Sequence, residues 1–276
     1  MKQPMTRRLW LSAALPAALL PSATPANLNL RLRSRKLGLA AERGETWSAP
    51  QTAIIVCDMW NGHYCQNSAR RVTEMVPGMN AMLNKARALG VRIIHSPSGC
   101  MDKYEDTPQR RRVKQARISK PPIPLARWCY LDLASEPPLP IDDATSPCDD
   151  EVVGPAVKRF DRQHPGLEIK EPDGISDSGE EIFNFFEQEG IRNVVMMGVH
   201  TNMCVLGRPF GIRQLVRLGK NVVLARDMTD AMYDPRQAPW VSHERGTELV
   251  IEHIEQYWCP TILSKDLTVA ANGRTS

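Results

Sequence analysis

The stretch Asn193-Val194-Val195-Met196-Met197-Gly198-Val199-His200-Thr201-Asn202-Met203-Cys204-Val205 decides the fold of this chain. It opens with a short apolar run rich in valine, which is typical of a buried parallel strand and ends at Gly198. After a polar elbow, apolar residues recur at spacings of three and four, which predicts a helix. Cys204 is then expected in the first turn of that helix, where free backbone N–H groups and the helix dipole favour a thiolate. A thiolate there is a candidate nucleophile, and the alternative is a small buried hydrophobic residue.

Further apolar runs alternate with helical patterns on both sides of this stretch. Strands are predicted at 52–58, 91–95, 167–170, 193–198, 221–227 and 261–263, and helices at about 72–89, from 177 or 178 to 190, after Cys204, and at 241–258. Strands that alternate with helices form a parallel sheet, because right-handed crossovers cover both faces. The predicted fold class is therefore α/β, with a mainly parallel, doubly wound sheet.

The chain has 276 residues, of which 42% are hydrophobic, enough for one large α/β domain. We assign residues 51–267 to that domain, 27–50 to a linker or an arm, and 268–276 to a tail. The span from about 100 to 166 breaks the pattern with basic, proline-rich and acidic segments, so we interpret it as an insertion that covers the carboxyl edge of the sheet or forms an oligomer contact. A net charge of +4 and the absence of aromatic interleaving in the basic segment argue against a nucleic-acid partner.

The first 26 residues have the pattern of an export signal. Arg7-Arg8 and Leu-Trp-Leu precede a short apolar stretch and a small-residue segment that ends near Ala26, which resembles a twin-arginine signal. The apolar stretch is too short and too rich in proline to anchor the mature protein in a membrane. We therefore expect an exported, periplasmic protein with no stable membrane anchor. Seven cysteines leave at least one thiol free if the others pair.

Three ionisable side chains are predicted at the ends of strands. Asp58 ends the first predicted strand, Lys170 ends the third, and Cys204 follows the fourth. Parallel strands end at one edge of a sheet and lie about 4.8 Å apart, so these groups can converge there. Asp58 could then accept the thiol proton, Lys170 could keep Asp58 ionised, and the backbone N–H groups of Cys204 and His200 could bind an oxyanion.

These residues resemble those of the isochorismatase-like cysteine hydrolases, which include nicotinamidases and N-carbamoylsarcosine amidohydrolases. The resemblance rests on a strand ending in Asp, a strand ending in Lys, and Gly-x-x-Thr-x-x-Cys-Val at Gly198–Val205, and it covers roughly residues 52–265. It implies a three-layer α/β/α sandwich, a Cys-Asp-Lys triad of Cys204, Asp58 and Lys170, a cis peptide bond between Val199 and His200, and a homo-oligomer. Lys158 also follows a short apolar stretch and is the alternative lysine.

The chain departs from the metal-dependent nicotinamidases of this family. They carry Asp-x-His after the second strand, where this sequence reads His95-Ser96-Pro97-Ser98-Gly99. We therefore expect no metal and no cofactor. The main reason to expect nicotinamide as the substrate is then absent. Trp60, His63 and Tyr233 are candidates for lining a pocket for a small-molecule substrate. Arg208 and Arg213 are expected to form salt bridges within the fold or at a subunit contact.

The predicted function is cysteine-dependent hydrolysis of a C–N bond in a small amide, ureido or carbamoyl compound through a thioester. One alternative within the same fold is an isochorismatase-type reaction on a vinyl ether, which is disfavoured because that chemistry needs no cysteine. The other is a catalytically silent binding or scaffold protein whose pocket is closed by the insertion.

Overall fold

The computed structural model describes residues 26–269, which form one α/β unit around a nine-stranded sheet. The sheet runs in the order β2-β1-β8-β7-β6-β3-β4-β5, and β9 pairs with β1. Its strands are β1 Asn27–Lys36, β2 Leu39–Ser48, β3 Thr52–Cys57, β4 Arg92–Ser96, β5 Gly174–Ile175, β6 Asn193–Val199, β7 Asn221–Asp230, β8 Thr261–Ile262 and β9 Thr268–Val269. The helices are α1 Gln66–Ala88, α2 Pro108–Lys114, α3 Gly179–Glu189, α4 Cys204–Gly207, α5 Ile212–Arg217 and α6 His243–Tyr257.

Six strands, from β8 to β5, pair in parallel, and helices cover both of their faces. Ile54 and Val56 of β3 pack with α1, whereas Ala53 and Ile55 pack with α3 to α6. This alternation places successive side chains of one strand in opposite layers. The predicted three-layer α/β/α sandwich with a mainly parallel sheet is confirmed.

The segment 27–50, which we assigned to a linker or an arm, is instead a β-hairpin that extends the sheet. β1 pairs antiparallel with β2 along its whole length and with β8 through Arg33 and Thr261. Leu28, Leu30 and Leu32 are buried in the core on the α1 face. The tail also begins with a paired segment, since β9 lies against β1.

Two predicted elements differ from the structure near the site. Residues 167–170 form no strand. The strand that pairs with β4 on the side away from β3 is the two-residue β5, which begins after Lys170. The helix after Cys204 is not continuous, because α4 ends at Gly207 and α5 begins only at Ile212. Pro209 explains this break, since the residue before a proline is disfavoured in helical geometry and a proline cannot continue the hydrogen-bond ladder.

The insertion contains a 3-10 turn, Met101–Lys103, and one short α-helix, α2, and otherwise runs as an irregular chain tied to loops of the domain. Backbone hydrogen bonds join Cys129 to Gly207 at 2.7 Å, and His164 to Met59 at 2.7 Å. Both Gly207 and Met59 lie beyond the carboxyl ends of parallel strands, so the insertion packs over that edge of the sheet. Apart from Ala26, the proposed export signal lies outside the described residues. Within residues 26–269, no helix is long and apolar enough to span a bilayer.

Candidate active site

Asp58 is the central side chain at the carboxyl edge of the sheet. It follows β3 directly, it is fully buried, and its φ of 48° turns the chain away from the strand direction. Such a φ is uncommon for a residue other than glycine. Its Oδ1 accepts the backbone N–H of Ser98 at 2.8 Å, so the loop after β4 fixes the orientation of the carboxylate.

Cys204 meets Asp58 from the neighbouring strand, because β6 pairs with β3 and both end at the same edge. The residue is 8% exposed, and its thiol lies beside the Asp58 carboxylate closely enough for each group to shift the pKa of the other. The backbone N–H of His200 is directed at the sulfur. The Val199–His200 peptide bond between β6 and α4 is cis, as the family resemblance implied.

The elbow before Cys204 is held by hydrogen bonds to the end of β7 and to the loop that follows it. The hydroxyl groups of Thr201 and Thr229 lie 2.7 Å apart, and Thr229 also donates to the Gly198 carbonyl at 2.7 Å. Asn202 Oδ1 accepts the N–H of Met232 at 2.8 Å. Polar residues of the motif thus fix the backbone that carries the cysteine.

The cation at this site is Arg208, which the sequence analysis placed in an unspecified salt bridge. Because Arg208 precedes Pro209 and has an extended ψ of 156°, its side chain leaves α4 and returns to Asp58. Its Nε and Nη2 each lie 2.9 Å from Asp58 Oδ2. Trp128 of the insertion lies on its other side, with the guanidinium carbon 5.5 Å from the ring centroid. The Arg-Pro pair four residues after the cysteine is the sequence signal that could have identified it.

The electrostatics of the three groups are coupled. Burial and the adjacent Asp58 carboxylate raise the pKa of the Cys204 thiol well above its usual value, against the opposing charge of Arg208. Burial also raises the pKa of Asp58, while Arg208, Cys204 and Ser98 oppose that rise. The resting cysteine is therefore a protonated thiol, and the expected thiolate stabilised by the helix dipole is not found, because α4 has only four residues and the site is buried.

Lys170 lies outside this site, so the prediction that its ammonium meets Asp58 and Cys204 is wrong. Its side chain is 47% exposed, 2.6 Å from Glu168 and 3.0 Å from Asn84. The physical reason is that residues 167–170 are not a strand and do not end at the sheet edge. The alternative lysine, Lys158, donates to the carbonyl of Gly99 at 2.6 Å rather than to Asp58.

His200, His63 and Trp60 form a ring-rich wall beside the cysteine. The His63 and His200 ring centroids lie 5.1 Å apart, and His200 Nε2 lies 2.6 Å from Ser68 Oγ. Burial and the neighbouring His63 lower the pKa of His200 to about 3, so its ring is neutral. Trp60 stacks on Phe160 of the insertion at 4.2 Å and donates to the Ser98 carbonyl at 3.1 Å.

Tyr233 is a core residue, so its predicted place in a substrate pocket is wrong. Its side chain is fully buried, and its hydroxyl donates to the carbonyl of Gln237 at 3.0 Å and accepts from the N–H of Val241 at 3.2 Å. Its ring packs so closely on Gly246 that a Cβ there would lie 2.2 Å from it. The loop after β7 is therefore built around this side chain.

The fold and the site together define a class of protein: a three-layer α/β/α unit with a cysteine, an aspartate and a cation at the carboxyl edge of its sheet. Among solved structures, a cysteine hydrolase from Pseudomonas syringae pv. phaseolicola is similar, with a TM-score of 0.51 and 17% identity over 80% of this chain and 92% of that one. The chain thus shares the fold of that cysteine hydrolase.

Other solved structures align over similar lengths with lower scores. An isochorismatase-like hydrolase from Alkaliphilus metalliredigens is 14% identical, with a TM-score of 0.45 over 79% of this chain and 94% of that one. An isochorismatase from Pseudomonas putida is 12% identical, with a TM-score of 0.47 over 80% of this chain and 91% of that one. No protein-family profile and no curated protein matches the sequence.

Proposed function

We propose that this protein is a cysteine hydrolase that cleaves the C–N bond of a small amide, ureido or carbamoyl compound through a thioester on Cys204. The observation that supports this most is the contact of a buried Asp58 with both the Cys204 thiol and the Arg208 guanidinium. A nucleophile, a base and a group that orients the base are the parts that covalent catalysis requires.

In the first half-reaction, Asp58 accepts the thiol proton while the sulfur of Cys204 attacks the substrate carbonyl carbon. The carbonyl oxygen gains negative charge, which the backbone N–H groups of His200 and Cys204 stabilise. The C–N bond then breaks, Asp58 returns the proton to the leaving nitrogen, and an amine or ammonia departs. The acyl or carbamoyl group remains on the sulfur as a thioester.

In the second half-reaction, water replaces the departed amine. Asp58 takes a proton from the water, the resulting hydroxide attacks the thioester carbonyl, and the carbon–sulfur bond breaks. The sulfur leaves as a thiolate and recovers its proton from Asp58. Arg208 stays protonated throughout, because burial, which tends to lower its pKa, is outweighed by Asp58 and Cys204, which raise it.

A panel of small amides, ureides and carbamoyl compounds, assayed for ammonia release, tests this proposal. The wild-type chain should release ammonia from at least one member, and Cys204→Ala should release none. Ammonia release that persists in Cys204→Ala would refute the thioester route. If no compound is turned over and none reacts with Cys204, the result would favour a scaffold protein.

We also propose that the protein works outside the cytoplasm, on the basis of the twin-arginine pattern at Arg7-Arg8. Replacing both arginines by lysine should leave the full-length chain in the cytoplasmic fraction of an expressing bacterium, whereas the wild type should reach the periplasm. Equal periplasmic amounts of the two chains would contradict this.

A further inference from the structure

A second group of reactive side chains lies at the beginning of α1, apart from the Cys204 site. Cys65, Cys148 and Asp150 are all buried, at 0%, 1% and 7% exposure. Their ligand atoms lie within 4.8 Å of one another, and Cys65 Sγ is 3.4 Å from Asp150 Oδ1. We call these three residues the Cys65–Cys148–Asp150 cluster. The thiol of Cys65 thus meets a thiol and a carboxylate that lie more than 80 residues further along the chain.

Backbone contacts fix this arrangement. The Asp150 carboxylate accepts the N–H groups of Gln66 at 2.8 Å and Asn67 at 2.9 Å, which ties the insertion to the first turn of α1. Cys65 is the residue immediately before that helix. On the other side, Arg236 donates to the carbonyls of Cys148 and Asp150 at 3.3 and 2.9 Å. The three ligand atoms are therefore preorganised by main-chain hydrogen bonds.

The charges around the cluster favour a cation. A second carboxylate, Asp149, lies 3.4 Å from Cys65 Sγ and pairs with Arg71 at 2.7 Å. Arg71 and His243 each pair with Asp230 at 2.8 Å, and His243 also lies 3.6 Å from Asp149, but no ion pair within residues 26–269 joins Asp150 to a cationic side chain. A buried excess of negative charge beside two thiols matches a divalent metal that accepts sulfur ligands.

We propose that the Cys65–Cys148–Asp150 cluster binds one zinc ion. Zn²⁺ takes thiolate ligands at about 2.3 Å and carboxylate oxygen at about 2.0–2.2 Å, usually with four ligands in a tetrahedron. Three come from the cluster, and Asp149 or a water supplies the fourth. Ca²⁺ and Mg²⁺ prefer oxygen ligands alone, so the two sulfurs select against them.

The bound ion has a structural consequence that is independent of the proposed hydrolase activity. It links the insertion to Cys65, which immediately precedes α1 and lies two residues after His63, whose ring faces His200. Because structural metals contribute folding free energy directly, the metal-bound chain is more stable than the metal-free chain. If this cluster binds no zinc, the proposed chemistry at Cys204 still stands. If the chain has no hydrolase activity, the proposed zinc site still stands.

The experiment uses the reduced full-length chain in a Cys204→Ala background, which removes the proposed nucleophile as a competing metal ligand. After treatment with a chelator, the protein is titrated with Zn²⁺ against a chromophoric indicator and separately with Co²⁺. We expect one equivalent of zinc per chain, a thiolate-to-cobalt charge-transfer band, and a higher melting temperature with zinc. Cys65→Ala and Cys148→Ala should each weaken binding beyond the roughly 10–100-fold cost of losing an outer-shell partner.

Cys129→Ala is the matched control, since this buried cysteine contacts Gln214 at 3.4 Å and lies outside the cluster. It should keep full stoichiometry and affinity. If the Cys65 or Cys148 variants do not fold, the cobalt band of the parent chain and the weaker binding of Asp150→Asn decide the question. Absence of the cobalt band, zinc binding unchanged in the variants, or a disulfide between Cys65 and Cys148 in the purified chain would overturn the proposal.

Discussion

Arg208 differs from a lysine in how it can hold the carboxylate beside the nucleophile. Its Nε and Nη2 both lie 2.9 Å from one oxygen of Asp58, while the other oxygen accepts the Ser98 N–H. A guanidinium is planar, always charged, and directs its donors in a fixed fork, whereas an ammonium is a flexible point charge. The arginine therefore fixes the direction of Asp58 as well as its charge.

Replacing Arg208 by methionine should lower kcat/KM roughly 100- to 10,000-fold, the range expected when a general base is lost. The reason is that a fully buried Asp58 without its cation would be protonated and unable to accept the thiol proton. Lys170→Met is the matched control, and it should leave kcat/KM unchanged because that lysine is exposed. Equal losses in the two variants would contradict the assignment of the cation.

The rate should rise with pH as Asp58 ionises. Burial raises the pKa of Asp58 above the ordinary value of 3.8, so the acidic limb of the kcat/KM profile should lie above that value. Arg208→Lys keeps a positive charge and should retain part of the activity, with the acidic limb moved further upward because one of the donors is lost. The measurement is the pH profile of both proteins on one substrate. An acidic limb at the same pH in both would contradict the role of Arg208.

At the residue level, the sequence predicts the positions of those site residues that follow regular strands. Asp58 and Cys204 follow buried apolar runs whose ends are easy to place, so their meeting could be expected from a parallel sheet. Arg208 could not be placed in the same way, because its position depends on the break at Pro209 and on the course of its side chain back to β3. Lys170 was misplaced because an apolar–polar alternation over 167–170 was interpreted as a strand.

At the level of elements, the join between β6 and the elbow depends on a glycine. Gly198 has a φ of 107°, and a Cβ there would lie 2.0 Å from the carbonyl oxygen of Cys57. Gly198→Ala should therefore lower the free energy of unfolding by more than the roughly 1–3 kcal/mol of backbone strain alone, since β3 and β6 must also separate. Urea unfolding measures this change.

Gly44→Ala is the matched control for that substitution. Gly44 lies in β2, and a Cβ there would meet no atom within 4 Å. Its unfolding free energy should stay at or slightly above that of the wild type, because alanine restricts the unfolded chain more than glycine does. A Gly198→Ala protein as stable as Gly44→Ala would show that the elbow tolerates a side chain.

The N-terminal hairpin shows where the sequence carried a signal that the linker interpretation overlooked. Leu28, Leu30 and Leu32 alternate with polar residues, and these leucines are buried while their neighbours face outward. That alternation is the period-two pattern of a half-buried strand. β8 agrees with the strand predicted at 261–263, whereas β5 was harder to predict, because it has only two residues and is defined by its pairing with β4.

Across the whole molecule, Glu136 ties the insertion to two helices of the domain. Its fully buried carboxylate accepts Arg213 Nε at 2.6 Å, and both His253 Nε2 and Trp258 Nε1 lie 2.7 Å from it. Burial acts to raise the pKa of Glu136, but these three partners outweigh it and lower the pKa to about 2. Such a carboxylate stabilises the folded state only while it is ionised.

Glu136→Gln should therefore destabilise the protein by roughly 3–5 kcal/mol at neutral pH, because Arg213 would stay buried without its counter-charge. A depressed folded-state pKa stabilises the fold above the ordinary value of 4.5 and loses that contribution as pH falls toward about 2. The gap between wild type and variant should thus be largest above pH 4.5 and shrink on acidification, as unfolding titrations at several pH values can show. A gap that stays constant with pH would contradict this account.

The course of the insertion could not be predicted from the sequence, because long-range contacts rather than local periodicity define it. Its charged residues form individual ion pairs with residues distant in the sequence, as Glu136 does with Arg213 and Asp149 does with Arg71. Such pairings depend on how the whole chain packs, whereas the parallel sheet follows from local apolar runs.

The central claim, covalent catalysis at Cys204, is tested most directly by intact-mass and peptide mass spectrometry of the protein quenched in acid during turnover of an active compound. The account predicts an added acyl or carbamoyl mass on Cys204 in the wild-type chain, absent from Cys204→Ala. The account would be contradicted if the wild-type chain turns over the compound without an adduct on Cys204 and the Cys204→Ala variant keeps that activity.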